Sequence, residues 1–131
     1  MPQYMLLIYV PAEGGPSPEE RAAELPRWFE YTQALRDAGA MVAGEALEPP
    51  DAARTVRLRA GERRVAAGPF AATEEVLGGY YVVDVPDIAA AQDWAERIPS
   101  APYGSVEVRP IMVFPETEGE PAAAGQATTS A

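Results

Sequence analysis

The sequence contains no cysteine, no histidine and no lysine. Without cysteine, the chain can form no disulfide, no thiolate nucleophile and no thiolate metal site. Without histidine, it lacks the commonest general base near neutral pH and the usual zinc ligand. The acidic residues show no spacing of the kind found in calcium loops. These absences exclude many classes of enzyme, and we predict neither a metal site nor a cofactor.

Positive charge is also scarce. Ten basic residues, all arginine, stand against twenty acidic ones, which gives a net charge of −10. Such a charge repels phosphate groups at long range, so we expect neither nucleic acid nor an anionic membrane as a partner. The opening apolar run, residues 3–10, is too short to span a bilayer and has no basic residue before it. We therefore expect a cytoplasmic protein.

What remains fits one domain, because 47% of the 131 residues are hydrophobic. Residues 3–10 predict a central strand buried on both faces. Ser17, Pro18 and Glu20 form the pattern of a helix start with a capping box. Pro26 should kink this helix, and Gly39 should end it. The side chains expected on its buried face are Leu25, Trp28, Phe29, Thr32 and Leu35.

Short strands follow from Met41, and two of them join at Ala60-Gly61 in what we predict to be a tight hairpin. Residues 79–85 form the clearest strand. A second helix follows it, with Asp87 as its cap and Pro99 at its end. Residues 104–114 predict the last strand. The residues expected to be buried on the second helix are Ile88, Ala91, Trp94, Ala95 and Ile98.

The order strand, helix, strands, helix, strand predicts a ferredoxin-like α+β fold, with an antiparallel sheet and two helices on one face. The strands carry large apolar residues on both faces, so the uncovered face would be an oversized hydrophobic patch. We therefore expect a homodimer through the sheet faces. We assign residues 1–114 to this domain. The tail, residues 115–131, is rich in Pro, Gly, Ala, Thr and Glu, and we expect it to be disordered.

Several short motifs in a fixed order resemble the YCII-related family, in particular its DGPF-motif branch. They are GPFAATEEVLGGYY at residues 68–81, a helix ending in WAERIP, and YGSVEVRPIM at residues 103–112. With YMLLIY and AGEAL, the resemblance covers about residues 3–113. It implies a dimeric α+β barrel, in which two ferredoxin-like sheets face each other across a cleft. The branch is often found beside sigma-factor genes, without an established reaction.

The chain departs from this pattern within the signature itself. The Asp of Asp-Gly-Pro-Phe is Ala67, and the Glu and Lys of Glu-Thr-Lys-Glu are Ala72 and Glu74. The histidine suspected of acid-base work in the founding branch has no counterpart. The signature residues that remain are Gly68, Pro69, Phe70, Thr73, Glu75, Gly78 and Gly79.

Each candidate site residue has a structural reading beside the functional one. Gly68, Pro69 and Phe70 are more easily explained as a turn with Phe70 in the core. Gly78 and Gly79 favour a bulge over close approach of a ligand. Glu74 and Glu75 are better explained as a solvated pair than as an acid-base pair. The Arg residues of the hairpin favour a solvated face that guards a sheet edge. The arginines concerned are Arg54, Arg57, Arg59, Arg63 and Arg64.

Two further pairs are candidates. Tyr80 and Tyr81 must point to opposite faces of their strand, so one is expected in the core and the other in the cleft, although core packing of both is favoured. Glu107 and Arg109 share a face of the last strand, where Arg109 could bind an anion, but a salt bridge at the rim is the simpler reading.

Three hypotheses for the function stay open at this point. The first is a small-molecule-binding or regulatory accessory protein without conventional catalytic residues. Its expected ligand-binding residues are Arg109, Tyr81, Gly68, Pro69, Phe70, Gly78 and Gly79. The second is a cofactor-free lyase or isomerase in the dimer cleft, with Glu75 or Glu107 as base, Arg109 as anion anchor and Tyr80 or Tyr81 as proton donor. The third is a structural interaction module.

Overall fold

The computed structural model describes residues 1–71 and 73–115, so the predicted disorder of the tail lies almost wholly outside it. The described residues form six strands and two α-helices, with one short 3-10 helix at Pro50–Ala52. The elements are β1 (Gln3–Pro11), α1 (Pro18–Asp37), β2 (Met41–Ala46), β3 (Arg54–Arg59), β4 (Glu62–Ala67), β5 (Glu75–Asp84), α2 (Ile88–Glu96) and β6 (Ser105–Pro110).

Four of the strands form one antiparallel sheet in the order β2-β5-β1-β6. The two central strands, β1 and β5, are therefore far apart in sequence and each is followed by a helix. Residues of α1 and α2 share one buried cluster with one face of the sheet. This arrangement confirms the predicted α+β architecture with two helices and is consistent with a ferredoxin-like fold.

The first helix begins where the capping box predicts. The Glu20 amide donates to the Ser17 hydroxyl at 3.1 Å, and the Ser17 amide donates to the Glu20 carboxylate at 2.9 Å. The hydrogen bond from the Ser17 backbone lowers the pKa of Glu20, because it favours the charged form. At the other end Gly39 adopts a φ of 70°, the left-handed conformation that ends a helix. Between these points α1 continues without interruption across Pro26.

The first strand is buried on one face only, which corrects the prediction of burial on both. Tyr4, Leu6 and Ile8 point to the helices and are 8%, 0% and 5% exposed. The alternate residues Met5 and Leu7 are only half-buried. The physical reason is that both helices pack on the same face of the sheet, so that neither helix covers the other face.

The side chain that joins the two helices to the sheet is Tyr31 of α1. Its ring meets the ring of Tyr81 at 5.3 Å and that of Trp94 at 5.9 Å, both edge to face. Its hydroxyl donates to the Trp94 carbonyl oxygen at 2.8 Å. Burial, and then the neighbouring Tyr81, raise the pKa of Tyr31 well above the ordinary tyrosine value.

Part of the predicted buried face of α1 is wrong. Leu35 is fully buried, but Leu25 is 50% exposed and Phe29 is 69% exposed. The residues that contact the core are Trp28, Tyr31 and Leu35, at spacings of three and four. The buried stripe is therefore rotated away from Leu25 and Phe29, which are left beside the sheet edge.

The second helix fits its prediction at all but one position. The Asp87 carboxylate accepts from the Ala90 amide at 2.9 Å and caps the helix. Ala91, Ala95 and Ile98 are buried, and Trp94 packs against the core. Ile88 is 43% exposed and is a correction, because it lies in the first turn, where the chain has just left the sheet.

The hairpin of β3 and β4 forms a separate two-stranded sheet. Ala60 and Gly61 both have positive φ, 52° and 77°, as a two-residue hairpin turn requires. The tight turn is thus confirmed. The described part of the chain gives neither strand a partner in the main sheet, so the hairpin is an insertion between β2 and β5.

Candidate functional site

A cleft of about 690 Å³ runs along α1, between this helix and the β2 edge of the sheet. We call it the α1 cleft. Most of its lining is apolar, and the volume falls in the range of small-molecule sites. The apolar side chains that line it include Ile8, Val10, Leu25, Trp28, Phe29, Met41, Leu47, Pro49, Pro50 and Val76.

The outer wall of the α1 cleft includes two residues that were wrongly expected in the core. Leu25 and Phe29 lie one turn apart on α1 and are about half or more exposed. Leu47, just beyond β2, is 50% exposed as well. Exposed apolar side chains gathered at a concave surface are typical of a binding site rather than of a solvated helix face.

Glycines line the sheet side of the α1 cleft, where they leave space that side chains would fill. A Cβ on Gly44 would lie 2.6 Å from the ring of Tyr81, so no other residue fits beneath that ring without displacing it. Gly78 is the extra residue of β5, because Ile8 pairs with Gly79 while Tyr9 pairs with Leu77. The expected bulge is therefore present, and it forms part of the cleft.

Few polar groups reach the α1 cleft. The hydroxyls of Thr32 and Tyr81 lie 2.7 Å apart and share one hydrogen bond. At the inner end, Ser100 is 1% exposed, and its hydroxyl finds no hydrogen-bond partner among the described residues. An unpartnered buried hydroxyl costs free energy. A polar atom of a bound molecule would recover part of that cost.

Tyr103 also lines the α1 cleft, and its hydroxyl donates to the Glu24 carboxylate at 2.8 Å. Partial burial and then this hydrogen bond raise the pKa of Tyr103 to about 12. The bond ties α1 to the turn before β6, and both residues line the cleft.

The raised pKa of Tyr103 leads to a testable result. Tyrosinate absorbance, taken as the difference between wild type and Tyr103→Phe, should show a titration near pH 12, and Glu24→Gln should move it toward the ordinary value near 10. Because the folded state holds the proton more tightly, the stabilisation is complete below pH 10 and is lost as the pH rises through 12. A Tyr103 that titrates near 10 in the wild type would contradict the hydrogen bond.

The sequence-predicted site residues fall into three separate places. Gly78, Gly79, Tyr80 and Tyr81 line the α1 cleft. Tyr81 is also a core residue, at 8% exposure, whereas Tyr80 alternates to the other sheet face and is half-buried. The two tyrosines do point to opposite faces of β5, but the favoured expectation that both pack in the core is wrong for Tyr80. Their roles in binding stay predictions.

The second place is the outer face of β6. Glu107 and Arg109 lie next to each other there, and the guanidinium Nε donates to Glu107 Oε2 at 2.8 Å. They form an ion pair, and Arg109 is exposed. Neither side chain is among those that line the α1 cleft. The simpler reading of this pair, a surface salt bridge, is the one that fits the geometry.

The third place is the exit of the hairpin. Gly68 has a φ of 96°, which only glycine adopts without strain, and its amide donates to the Ala53 carbonyl oxygen at 2.8 Å. Pro69 lines a smaller pocket of about 450 Å³ beside the 47–50 segment. The prediction that Phe70 lies in the core is wrong. Its ring is 78% exposed and lies 5.4 Å from the Arg57 guanidinium carbon.

Glu75 is not among the residues that line the α1 cleft, although its neighbour Val76 and its pairing partner Pro11 are. It is the first residue of β5, whereas Glu107 belongs to β6. Ala72 lies outside the described residues.

Among residues 1–71 and 73–115, no cluster of three or more acidic side chains has the arrangement of a metal site. Within the same ranges, neither helix combines the length and the apolar character needed to cross a bilayer.

Sequence reasoning missed the α1 cleft itself. It assigned Leu25, Phe29 and Leu35 to one buried stripe and left Tyr31 out. When Tyr31 is included, the apolar side chains of α1 cover more of the helix circumference than the face that packs on the core. This wide distribution could have indicated a second apolar surface on the helix.

The sequence was compared with known proteins. The YCII-related domain matches residues 2–115. An uncharacterized protein of Rhizobium meliloti (strain 1021) is 43% identical over 70 residues, which cover 52% of this chain. The match spans 56% of that relative, so it covers little more than half of its length. The chain belongs to the YCII-related family.

Proposed function

We propose that this protein binds a small organic molecule in the α1 cleft and acts as a ligand-binding or regulatory accessory protein of the DGPF-motif branch. The observation that carries the proposal is the cleft of about 690 Å³ with exposed Leu25 and Phe29 at its wall. Folding normally removes such side chains from water, and here a ligand would do so. The unpartnered Ser100 hydroxyl and the Thr32-Tyr81 pair would supply the polar contacts.

The proposed protein is a homodimer through the sheet face opposite the helices, which we call the open face. Met5, Leu7, Tyr80 and Val82 are neighbours on this face across β1 and β5. Within the described ranges no helix residue of the buried cluster packs on it, and Met5, Leu7 and Tyr80 are only half-buried in the monomer. A second copy of the same sheet is the simplest cover, as in the dimeric barrel that the family resemblance implies.

The enzyme alternative receives less support. A lyase or isomerase in the dimer cleft would need a carboxylate free to take a proton near a group that holds the substrate. Glu107 and Arg109, the best-placed pair, bind each other on β6. The link to a sigma factor or another regulator stays part of the accessory proposal.

An apolar fluorescent anion, 8-anilino-1-naphthalenesulfonate, tests the α1 cleft. We expect the wild-type protein to bind the dye with a rise in fluorescence. The Ala46→Trp variant places an indole at a lining position, and it should weaken binding at least about tenfold, or about 1.4 kcal/mol. Ala66→Trp adds the same side chain on exposed β4 and should leave binding unchanged.

Equal binding by all three proteins would contradict a site in the α1 cleft. Circular dichroism must show that each variant remains folded, because partly folded chains also bind this dye. Native mass spectrometry of the full-length protein then reports both the oligomer and any molecule retained on purification. A monomer would overturn the proposed sheet-to-sheet dimer without affecting the dye result.

A further inference from the structure

The two faces of the β3–β4 hairpin differ in polarity, and the apolar face is the one exposed to solvent. The apolar face carries Val56, Leu58 and Val65, which are 59%, 67% and 50% exposed. Val56 pairs directly with Val65, and Leu58 is opposite Arg63, so the three form one continuous patch. We call it the hairpin patch.

The other face of the hairpin is the one that contacts the chain's own residues. The Thr55 hydroxyl donates to the Gly68 carbonyl oxygen at 2.9 Å, and the Arg57 guanidinium lies against Phe70. Thr55 and Arg57 are half-buried as a result. A hairpin that needed only its own domain would turn its valines inward and its arginines outward. An isolated two-stranded sheet is marginally stable in water, so this orientation requires a further partner.

The charge of the hairpin differs from that of the rest of the chain. Residues 54–67 contain five arginines and one glutamate, a net charge of +4. Since the whole chain carries −10, the remainder, with five arginines and nineteen carboxylates, carries −14. The hairpin patch itself is bordered by Arg54 and Arg63 on the same face. A surface that complements it would be apolar and acidic.

We propose that the hairpin is an arm whose patch packs against a second copy of this chain. The second copy offers what the hairpin patch requires, namely exposed apolar side chains such as Met112, Val113 and Phe114 beyond the end of β6, and a strongly negative charge. Attraction between the basic arm and the acidic copy would orient the approach, and burial of Val56, Leu58 and Val65 would stabilise the contact. The proposal rests on the homodimer proposed above and extends its interface beyond the open face.

A photo-crosslinker placed on the arm identifies the occupant directly. p-Benzoylphenylalanine is introduced in place of Leu58, and the protein is mixed with ¹⁵N-labelled wild type and irradiated. We expect crosslinked pairs of one light and one heavy copy as the main product. The matched control carries the crosslinker in place of Thr55, on the inward face of the same strand, and should crosslink within its own chain.

Removal of the patch gives an independent readout. The double variant Leu58→Ser, Val65→Ser should stay folded, because both side chains are exposed, and its dimer dissociation constant should rise at least about tenfold in a dilution series by light scattering. The variant Leu7→Asp, on the open face, tests the sheet contact separately. Dye binding in the α1 cleft should persist in the double variant.

The outcomes separate the two proposals. A wild-type dimer that keeps its affinity in the double variant, with crosslinks only within one chain, would overturn the arm and leave the sheet dimer in place. A wild-type monomer would overturn both the homodimer and the arm. Binding of a 30-nucleotide DNA or RNA at 0.15 M salt that depends on Arg54 and Arg63, with no crosslinks between copies, would overturn the arm in favour of a nucleic-acid site.

Discussion

Gly104→Ala should destabilise the protein by about 3 kcal/mol or more, which lowers the melting temperature by about 10 °C. A Cβ at this position would lie 2.2 Å from the backbone oxygen of Tyr9. That oxygen belongs to β1, and Tyr9 is paired with Ser105 at the start of β6. The backbone can make room only by separating these two strands. Urea unfolding followed by circular dichroism measures the loss.

Gly14→Ala is the matched control for this clash. Gly14 has a φ of 75°, and a Cβ there would meet nothing within 4 Å. Its substitution therefore adds backbone strain without overlap and should cost about 1 kcal/mol. Equal losses of unfolding free energy in the two variants would contradict the close approach of Gly104 to the Tyr9 backbone oxygen.

Leu35→Ala should be the second large effect, with a loss of about 2 to 5 kcal/mol. Leu35 is fully buried and packs in the cluster that joins α1 to the sheet. Phe29→Ala, six residues earlier on the same helix, removes a larger side chain that is 69% exposed. Its effect on the free energy of unfolding should stay within about 0.5 kcal/mol.

Phe29→Ala should have the larger effect on dye binding, although Leu35→Ala has the larger effect on stability. Phe29 lines the α1 cleft and Leu35 does not, so Phe29→Ala should weaken the affinity for 8-anilino-1-naphthalenesulfonate several-fold. Leu35→Ala, measured where it remains folded, should bind the dye as the wild type does. A stability loss above about 2 kcal/mol in Phe29→Ala would instead identify Phe29 as a core residue and remove the wall of the cleft.

Local signals in the sequence were sufficient for the elements of the fold. The capping box at Ser17 and Glu20 fixes a helix start, because both hydrogen bonds join residues three apart. The Ala60-Gly61 turn likewise depends on backbone conformations within a few residues. These features need no distant partner, so the sequence alone predicts them.

Which side chains of α1 are buried could not be predicted from local signals. Helical spacing gives the relative directions of Leu25, Phe29 and Leu35, but not which direction meets the sheet. Tyr31 decides this by its contacts with Tyr81 and Trp94, which lie some fifty and sixty residues away. The stripe is rotated as a consequence, and two residues expected in the core form the cleft wall instead.

The sequence by itself determined the family, the order of the elements and the absence of histidine and cysteine chemistry, because these depend on residue identity and on short-range geometry. Tertiary structure alone decided the rest. It placed the Glu107-Arg109 pair outside the α1 cleft, on the sheet face that carries Met5 and Leu7. It also exposed Phe70 and turned the apolar face of the hairpin outward. These outcomes depend on which surfaces meet across long stretches of chain, and a one-dimensional pattern does not contain that choice.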